Sequence, residues 1–144
     1  MSRYTQHVAI CPIPQLKQWM VYEPLHYDLL YKGSGCTITV PAWFRFDGAS
    51  VPSIFGMLIQ KVEPDTIKAA CIHDWIYKGG RDEVLGIYLV LKLQMRIPRS
   101  MSYRKFADYH WFYEPLLIDA NKTKAKLMYT GVRIGGWPVW NKRI

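Results

Sequence analysis

The stretch that decides the fold is Pro64-Asp65-Thr66-Ile67-Lys68-Ala69-Ala70-Cys71-Ile72-His73-Asp74-Trp75-Ile76-Tyr77. Pro64 and the carboxylates of Glu63 and Asp65 stand at its start, where the unpaired N–H groups and the positive end of the helix dipole favour them. The pair Gly79-Gly80 gives the stop signal. Because almost every residue between these signals is apolar, the pattern predicts a single helix that is buried on most sides.

Two ionisable residues, His73 and Asp74, lie side by side in the apolar part of this helix. Consecutive helical residues point about 100° apart, so we expect each of them to find its own partner elsewhere in the chain. A histidine held by a carboxylate is a common form of general base or metal site. The alternative is a satisfied core histidine beside an aspartate that caps a loop, and the stretch alone leaves both open.

Length and composition suit a single globular domain, since the chain has 144 residues, 50% of them hydrophobic and 21% charged. No apolar run approaches the roughly 20 residues of a membrane helix, and residues 1–7 lack the order of a signal peptide, so we expect synthesis in a cytoplasm.

Cys11, Cys36 and Cys71 are far apart and odd in number, which predicts neither a disulfide framework nor a cysteine zinc site. We expect all three thiols to be reduced and buried.

The net charge of +8 raises the question of nucleic-acid binding, but the basic residues are spread along the chain. Lys122, Lys124 and Lys126 are an exception, and their spacing scatters them around a helix rather than along one stripe. That arrangement is typical of a solvated helix face. Nucleic-acid binding therefore ranks third among the functions considered.

Three segments in the first third of the chain have the composition of strands: 18–22, 25–31 and 36–41. Residues 32–35 predict a turn between the last two, and we expect all three strands to form one small antiparallel sheet. Residues 8–16 contain two prolines, which predicts an extended arm with short strand character.

An aromatic segment, residues 42–46, leads into Asp47-Gly48, a pair that predicts a tight turn. Asp47 is most simply a turn residue whose carboxylate accepts hydrogen bonds from its own backbone. The functional alternative is an oxygen ligand, or an acid that lines a site.

The second half of the chain predicts three further helices: 83–97, 101–114 and 121–133. The first of these is ambiguous, because Leu85, Tyr88 and Leu89 fit a helix face while neighbouring leucines alternate as in a strand, and we favour the helix. Residues 137–140, after the last helix, are too aromatic to be left in water, so we expect this segment to fold back or to bind a partner.

The helix over 101–114 has two candidate capping residues, Ser100 and Ser102, and Pro115 is expected to end it. Asp108 follows Arg104 by one turn. The simplest interpretation of that spacing is a surface ion pair worth a few tenths of a kcal/mol.

Together these elements predict an α+β domain in which a small antiparallel sheet from the first third packs on three or four helices. A single domain accounts for residues 1–144. We divide it into an N-terminal arm (1–17), a core (18–134) and an aromatic C-terminal tail (135–144).

Several motifs recur in the order and spacing of one protein family: Ile38-Thr39-Val40-Pro41-Ala42-Trp43-Phe44, Asp47-Gly48-Ala49-Ser50-Val51-Pro52, the run from Ala69 to Tyr77, and Arg104 to Ala107-Asp108. On these motifs the chain resembles, over roughly residues 20–140, the phage and prophage family catalogued as domain of unknown function 1353. The resemblance implies a bacteriophage protein that associates with other virion or tail proteins. It brings no settled activity.

A second resemblance concerns chemistry. His73-Asp74-x-x-Tyr77, followed on a later helix by Asp108, is similar to the active-site layout of secretory phospholipases of the A-two class. That resemblance implies that His73 activates water, that Asp108 orients His73, and that Asp74 binds a divalent cation such as calcium. The disulfides and the glycine-rich calcium loop of those phospholipases are missing from this sequence.

Two functions therefore compete. In the first, the protein is a virion or tail hydrolase in which His73 is the general base for a water that attacks an ester or similar carbonyl of a host envelope substrate. Asp74 and Asp47 would hold the metal, and Tyr77 and Arg104 would support the site. In the second, the protein is a purely structural virion or tail-assembly module, and the same acids and His73 tie helices and loops together. The motifs favour the enzyme, and the aromatic termini favour the module.

Overall fold

The computed structural model describes residues 10–13, 15, 18–46, 67–135 and 140. The described strands all lie in the first third: β1 (Ile10–Ile13), β2 (Gln18–Val21), β3 (Leu25–Asp28), β4 (Thr37–Val40) and β5 (Arg45–Phe46). The helical segments follow: α1 (Ile67–Lys78), α2 (Arg81–Leu93), α3 (Tyr103–Asp108), a π-helical turn (Tyr109–Tyr113), α4 (Glu114–Asp119) and α5 (Lys122–Gly135). Since α3, the π-helical turn and α4 follow one another without a gap, the described residues 67–135 form four helical rods. The predicted α+β class is confirmed.

The strands form two small antiparallel sheets. One has the order β1-β2-β5, and the other consists of β3 and β4. The prediction that the three segments share one sheet is therefore wrong for β2. Tyr22-Glu23-Pro24 joins β2 to β3 and offers no residue suited to the positive φ of a tight hairpin, so β2 pairs elsewhere. One of its partners is β1, which comes from the predicted arm.

Helix α1 is largely buried, as the sequence predicts. It contacts β4, β5, α2 and the rod that contains the π-helical turn. Its buried residues span both sides of the helix: Ala69, Ala70, Cys71, Ile72, His73, Asp74, Ile76 and Tyr77. The helix ends at Lys78, immediately before Gly79-Gly80, and its predicted first turn at Pro64 lies outside the described residues. The burial of two ionisable residues makes α1 the place to look for a site.

The ambiguous segment is a helix, α2, as we favoured. Its buried face passes through Arg81, Val84, Tyr88 and Leu91, whereas Leu89 is 49% exposed, so the face predicted through Leu89 is wrong. Periodicity could not select the face, because apolar residues occur on several sides of α2.

The rod that begins at Tyr103 continues through Pro115, so the prediction that Pro115 ends it is wrong. The π-helical turn just before the proline explains this, since the backbone N–H of Glu114 donates to Tyr109, five residues earlier. This wider turn accommodates a ring that would crowd a regular α-helical turn. At the other end of the rod, Ser102 is the cap, with its hydroxyl accepting the N–H of Lys105 at 3.1 Å.

Helix α5 follows Asn121, whose side chain accepts the N–H of Lys124 at 2.8 Å. Trp140, the described residue of the aromatic tail, folds back onto the first turn of α2. Its ring lies 3.5 Å from the guanidinium carbon of Arg81, and Arg81 donates to its carbonyl at 2.9 Å. The fold-back prediction is thus confirmed for Trp140, whereas residues 136–139 lie outside the described part.

Burial of the cysteines differs from the prediction. Cys71 is buried, but Cys11 and Cys36 are only half-buried, because β1 is an edge strand and Cys36 lies just before β4. Burial raises the pKa of the Cys71 thiol well above its ordinary value, and Asp74 adds to the effect. Within the described residues, no helix is long and apolar enough to cross a membrane.

Candidate functional site

The candidate site is a buried ionic cluster around Asp108, which we call the Asp108 centre. Asp108 is 0% exposed, and its carboxylate is surrounded by donors from three helices. The members of the cluster are His73, Tyr77, Arg104, Asp108 and Arg133. A carboxylate in such a place stays charged only if these donors compensate for the lost water.

Each helix supplies its residues through simple periodicity. His73 and Tyr77 are four residues apart on α1, and Arg104 and Asp108 are four apart on α3, so each pair lies on one side of its helix. Arg133 comes from the last turn of α5. The cluster therefore forms where α1, α3 and α5 meet.

The two carboxylate oxygens of Asp108 have different partners. Oδ1 lies 2.8 Å from Nε2 of His73 and accepts the hydroxyl of Tyr77 at 2.5 Å. Oδ2 accepts Nη1 of Arg133 at 2.8 Å and lies 3.6 Å from Nε of Arg104. The predicted contact between His73 and Asp108 is confirmed. The interpretation of Arg104 and Asp108 as a surface ion pair is wrong, because the packing of α1 and α5 encloses that carboxylate.

Arg104 also closes the end of α5. Its Nη2 donates to the carbonyls of Val132 and Arg133, both at 2.9 Å, and its Nε donates to the hydroxyl of Tyr77 at 3.2 Å. Carbonyls in the last turn of a helix lack partners within the helix. Arg104 thus links the end of α5 to the Asp108 centre.

The electrostatics of the centre favour an ionised Asp108 and a neutral Tyr77. Burial by itself raises the pKa of Asp108, but hydrogen bonds from His73, Tyr77 and Arg133 outweigh it and hold that pKa below its ordinary value. Burial and the adjacent carboxylate raise the pKa of Tyr77. At neutral pH Tyr77 therefore donates a proton to a charged acceptor, which strengthens the hydrogen bond.

The orientation of His73 follows from this charge. An ionised carboxylate only accepts hydrogen bonds, so Nε2 of His73 carries the proton that bridges to Asp108. In the neutral ring Nδ1 then has the lone pair, and none of the described residues forms a hydrogen bond with Nδ1. The rings of Tyr77 and Phe112 lie 4.3 and 4.6 Å from that of His73, and His73 is 5% exposed. The geometry thus fixes one nitrogen and leaves the other as a base.

Asp74 points to a different neighbour, as consecutive helical positions require. Its Oδ2 lies 3.0 Å from Nζ of Lys78, one turn further along α1, and Asp74 is 4% exposed. This ion pair forms within the helix, and a partner for Asp74 from elsewhere in the chain stays a prediction. Among the described residues no three His, Cys, Asp or Glu side chains cluster as metal ligands, and Asp47 lies outside those residues. The described residues alone therefore do not fit a resident divalent cation.

Sequence reasoning missed Arg133. A cation in the last turn of a helix has an ordinary interpretation as a complement to the helix dipole, so Arg133 gave no signal of its own. The useful signal was Asp108 itself, because a fully buried carboxylate needs more donors than one histidine supplies. Nothing in the spacing of the two residues, 25 positions apart, indicates that they meet.

Comparison with known proteins gives one result. A family model described as "Protein of unknown function (DUF1353)" matches residues 19–132. No curated protein and no solved structure matches the chain. The matched region begins in β2 and ends in α5, so it includes His73, Tyr77, Arg104 and Asp108 and ends one residue before Arg133.

Proposed function

The chain belongs to the family described as protein of unknown function (DUF1353), and from that premise we propose that it is a bacteriophage protein, associated with the virion or tail, whose Asp108 centre hydrolyses an ester or similar carbonyl. The motif resemblance to phage and prophage proteins supports the first part. The hydrogen bond between His73 and Asp108 supports the second. Lipids and peptidoglycan of the host envelope are the two substrate classes proposed.

The observation that supports the hydrolase is that the two ring nitrogens of His73 differ: Asp108 holds Nε2, and Nδ1 is left as the base. Asp108 fixes Nε2 at 2.8 Å, and Tyr77 and Arg133 keep that carboxylate charged and in place. A histidine held in this way can take a proton from water at Nδ1, because the adjacent carboxylate stabilises the imidazolium that forms. The proton passes from the water to Nδ1 as the water oxygen bonds to the substrate carbonyl. The addition leaves a tetrahedral oxyanion, which re-forms the carbonyl as the bond to the leaving group breaks and the imidazolium gives its proton to that group.

The divalent cation implied by the phospholipase resemblance has no step in this mechanism, since the described residues do not form its site. Ligation by Asp74 and Asp47 stays a prediction. Thermal unfolding of the wild type and of Asp74→Asn, each with and without calcium or zinc, tests it. A ligand at about a hundred times its Kd stabilises the folded protein by about 2.7 kcal/mol. Asp74→Asn should abolish this stabilisation by the metal.

The test of the hydrolase compares His73→Asn with the wild type on a panel of phospholipid, carboxylic ester and peptidoglycan substrates. We expect a loss of turnover of at least about a hundredfold, which is typical when a general base is removed. The matched control is His26→Asn, because His26 is exposed on β3 and bonds only to Thr39 among the described side chains. If the wild type turns over none of these substrates, with or without metal, the hydrolase is rejected.

The second candidate is a structural virion or tail-assembly module, and one observation favours it. The Asp108 carboxylate joins α1, α3 and α5, as a purely structural tie would. In that case His73→Asn lowers stability by about 1–3 kcal/mol, and any assembly role falls in proportion to folding. In a catalytic site, by contrast, turnover is lost while stability changes little or rises. Chemical denaturation of His73→Asn, measured beside the turnover assay, separates the two.

A further inference from the structure

The outer face of α2 is an apolar surface open to solvent. Leu89, Val90 and Leu93 are 49%, 50% and 85% exposed, and Gly86 is exposed one turn earlier. Helical positions spaced by three, four and seven residues share one side of the helix. These four residues therefore form one continuous surface, which we call the α2 strip. Grouped exposed apolar side chains of this kind mark interaction surfaces.

Gly86 is the unusual member of the α2 strip. A glycine inside a helix destabilises it relative to alanine, so a reason for the glycine is expected. The described residues supply none, because a Cβ added at Gly86 would meet none of their atoms within 4 Å. A glycine with free space above it suits the close approach of a side chain from another molecule.

The two ends of the α2 strip have opposite charges. Glu83 is exposed in the first turn of α2. Arg96 and Arg99 are exposed just after the helix ends, with Lys92 in its last turn. An open pocket of about 560 Å³ lies at this basic end, and its lining is Leu89, Lys92, Leu93 and Arg99. The surface thus runs from acidic, through apolar, to basic.

We propose that the α2 strip docks on the α2 strip of a second copy of this chain, with the two helices antiparallel. A two-fold axis between Leu89 and Val90 sets one register for the whole strip. In that register Leu93 packs on Gly86 of the second copy and Leu89 lies beside its Val90. Glu83 then lies near the basic end of the second copy, where Arg96 follows the end of the helix. The acidic end of each copy meets the basic end of the other.

The charges and the glycine favour a second copy over other occupants. An anionic membrane or an acidic peptide would match Arg96 and Arg99 but would be repelled at Glu83. Neither would explain the open space above Gly86. A surface that runs from basic, through apolar, to acidic alongside the α2 strip pairs with both its acidic and its basic end. The α2 strip itself has that order.

The test uses charge reversal at the two ends. Glu83→Arg alone and Arg96→Glu alone each place like charges at both contacts of the antiparallel dimer, and we expect each to weaken association about tenfold or more. When the two variants are mixed, each mixed dimer again has one Arg and one Glu at both contacts. Mixing should therefore restore association. Within one chain the two positions are separated by most of α2, about 15 Å of helix, so direct pairing inside a monomer cannot mimic this result.

Sedimentation of the full chain at about 10–500 μM provides the readout. This range is chosen because an interface formed by one helix from each copy is small, and small interfaces give modest affinity. Lys126→Glu, which removes an exposed cation from α5, is the matched control and should associate as the wild type does. Leu93→Glu should abolish association while circular dichroism shows an unchanged fold. A monomeric wild type over this range, or variants whose mixture stays as weak as each alone, would overturn the proposal. Binding of monomeric wild type to phosphatidylglycerol vesicles that Leu93→Glu abolishes would also overturn it, in favour of a membrane.

Discussion

Replacing Asp108 with asparagine removes the charge from the Asp108 centre while it keeps the size of the side chain. Asparagine offers one oxygen and one NH₂ group where aspartate offers two oxygens. If its oxygen faces His73 and Tyr77, its NH₂ group meets Arg133, and two donors then face each other. If it turns round, His73 and Tyr77 lose their acceptor. Either orientation therefore breaks at least one hydrogen bond to a charged group.

The magnitude follows from the geometry and the exposure of the partners. A hydrogen bond to a charged group contributes about 1.5–3 kcal/mol, and breaking a buried ion pair costs about 3–5 kcal/mol. The side chain of Arg133 is 31% exposed and can turn to solvent, whereas that of Arg104 is 16% exposed. Discounting the more exposed arginine, we expect Asp108→Asn to lower the free energy of unfolding by about 3 kcal/mol at pH 7.

Urea denaturation at several pH values provides the measurement. Because the pKa of Asp108 is held below its ordinary value of about 3.9, the unfolded chain binds more protons there than the folded one. The stabilisation is therefore complete above pH 5 and is lost as the pH falls through the lower, folded-state pKa. The difference between wild type and variant should stay constant from pH 7 to pH 5 and then shrink. Asp82→Asn, at an exposed carboxylate of α2, is the control, and an equal small effect of both substitutions would refute the reasoning.

Three further predictions concern packing. Gly79→Ala places a Cβ 2.5 Å from the ring of Trp75, so thermal unfolding should show a free energy of unfolding lower by about 1–3 kcal/mol. Gly86→Ala has free space around it, and at low protein concentration it should raise the free energy of unfolding by up to about 1 kcal/mol. Trp140→Ala exposes the side chains of Arg81 and Tyr77, which lie against the indole. Urea titration should therefore show a free energy of unfolding lower by about 2–3 kcal/mol. The Cys71 thiol, buried and with its pKa raised, should react with an aromatic disulfide reagent only on unfolding, while the two half-buried cysteines react in the native state. The first prediction is wrong if the two glycine substitutions have equal effects, and the second if Trp140→Ala is as stable as the wild type. The third is wrong if all three thiols react in the native state.

Local signals made much of the fold predictable. The apolar run from Ile67 to Tyr77 predicted α1 and its burial, and the serines before the third helix predicted the cap as one of two residues, of which Ser102 is the one observed. The segments of β1 to β4 were also predicted, because alternation, β-branched residues and turn residues act over a few positions. The short strand β5 was not predicted. The contact of His73 with Asp108 was predicted only with the help of the phospholipase resemblance, since helical geometry demanded a distant acid without naming it.

What local signals could not supply was the choice among partners. Pairing of β2 with β1 and β5 and passage of the helix through Pro115 depend on how the elements pack around α1. Arg133 enters the Asp108 centre from 25 residues away, and a cation at a helix end gives no signal of such a contact. By itself, therefore, the sequence determined most of the helix and strand segments, and it determined that α1 would be buried with two ionisable residues. Tertiary structure decided which groups compensate those charges, because the cost of a buried charge is met by whichever donors the packed helices bring within hydrogen-bonding distance.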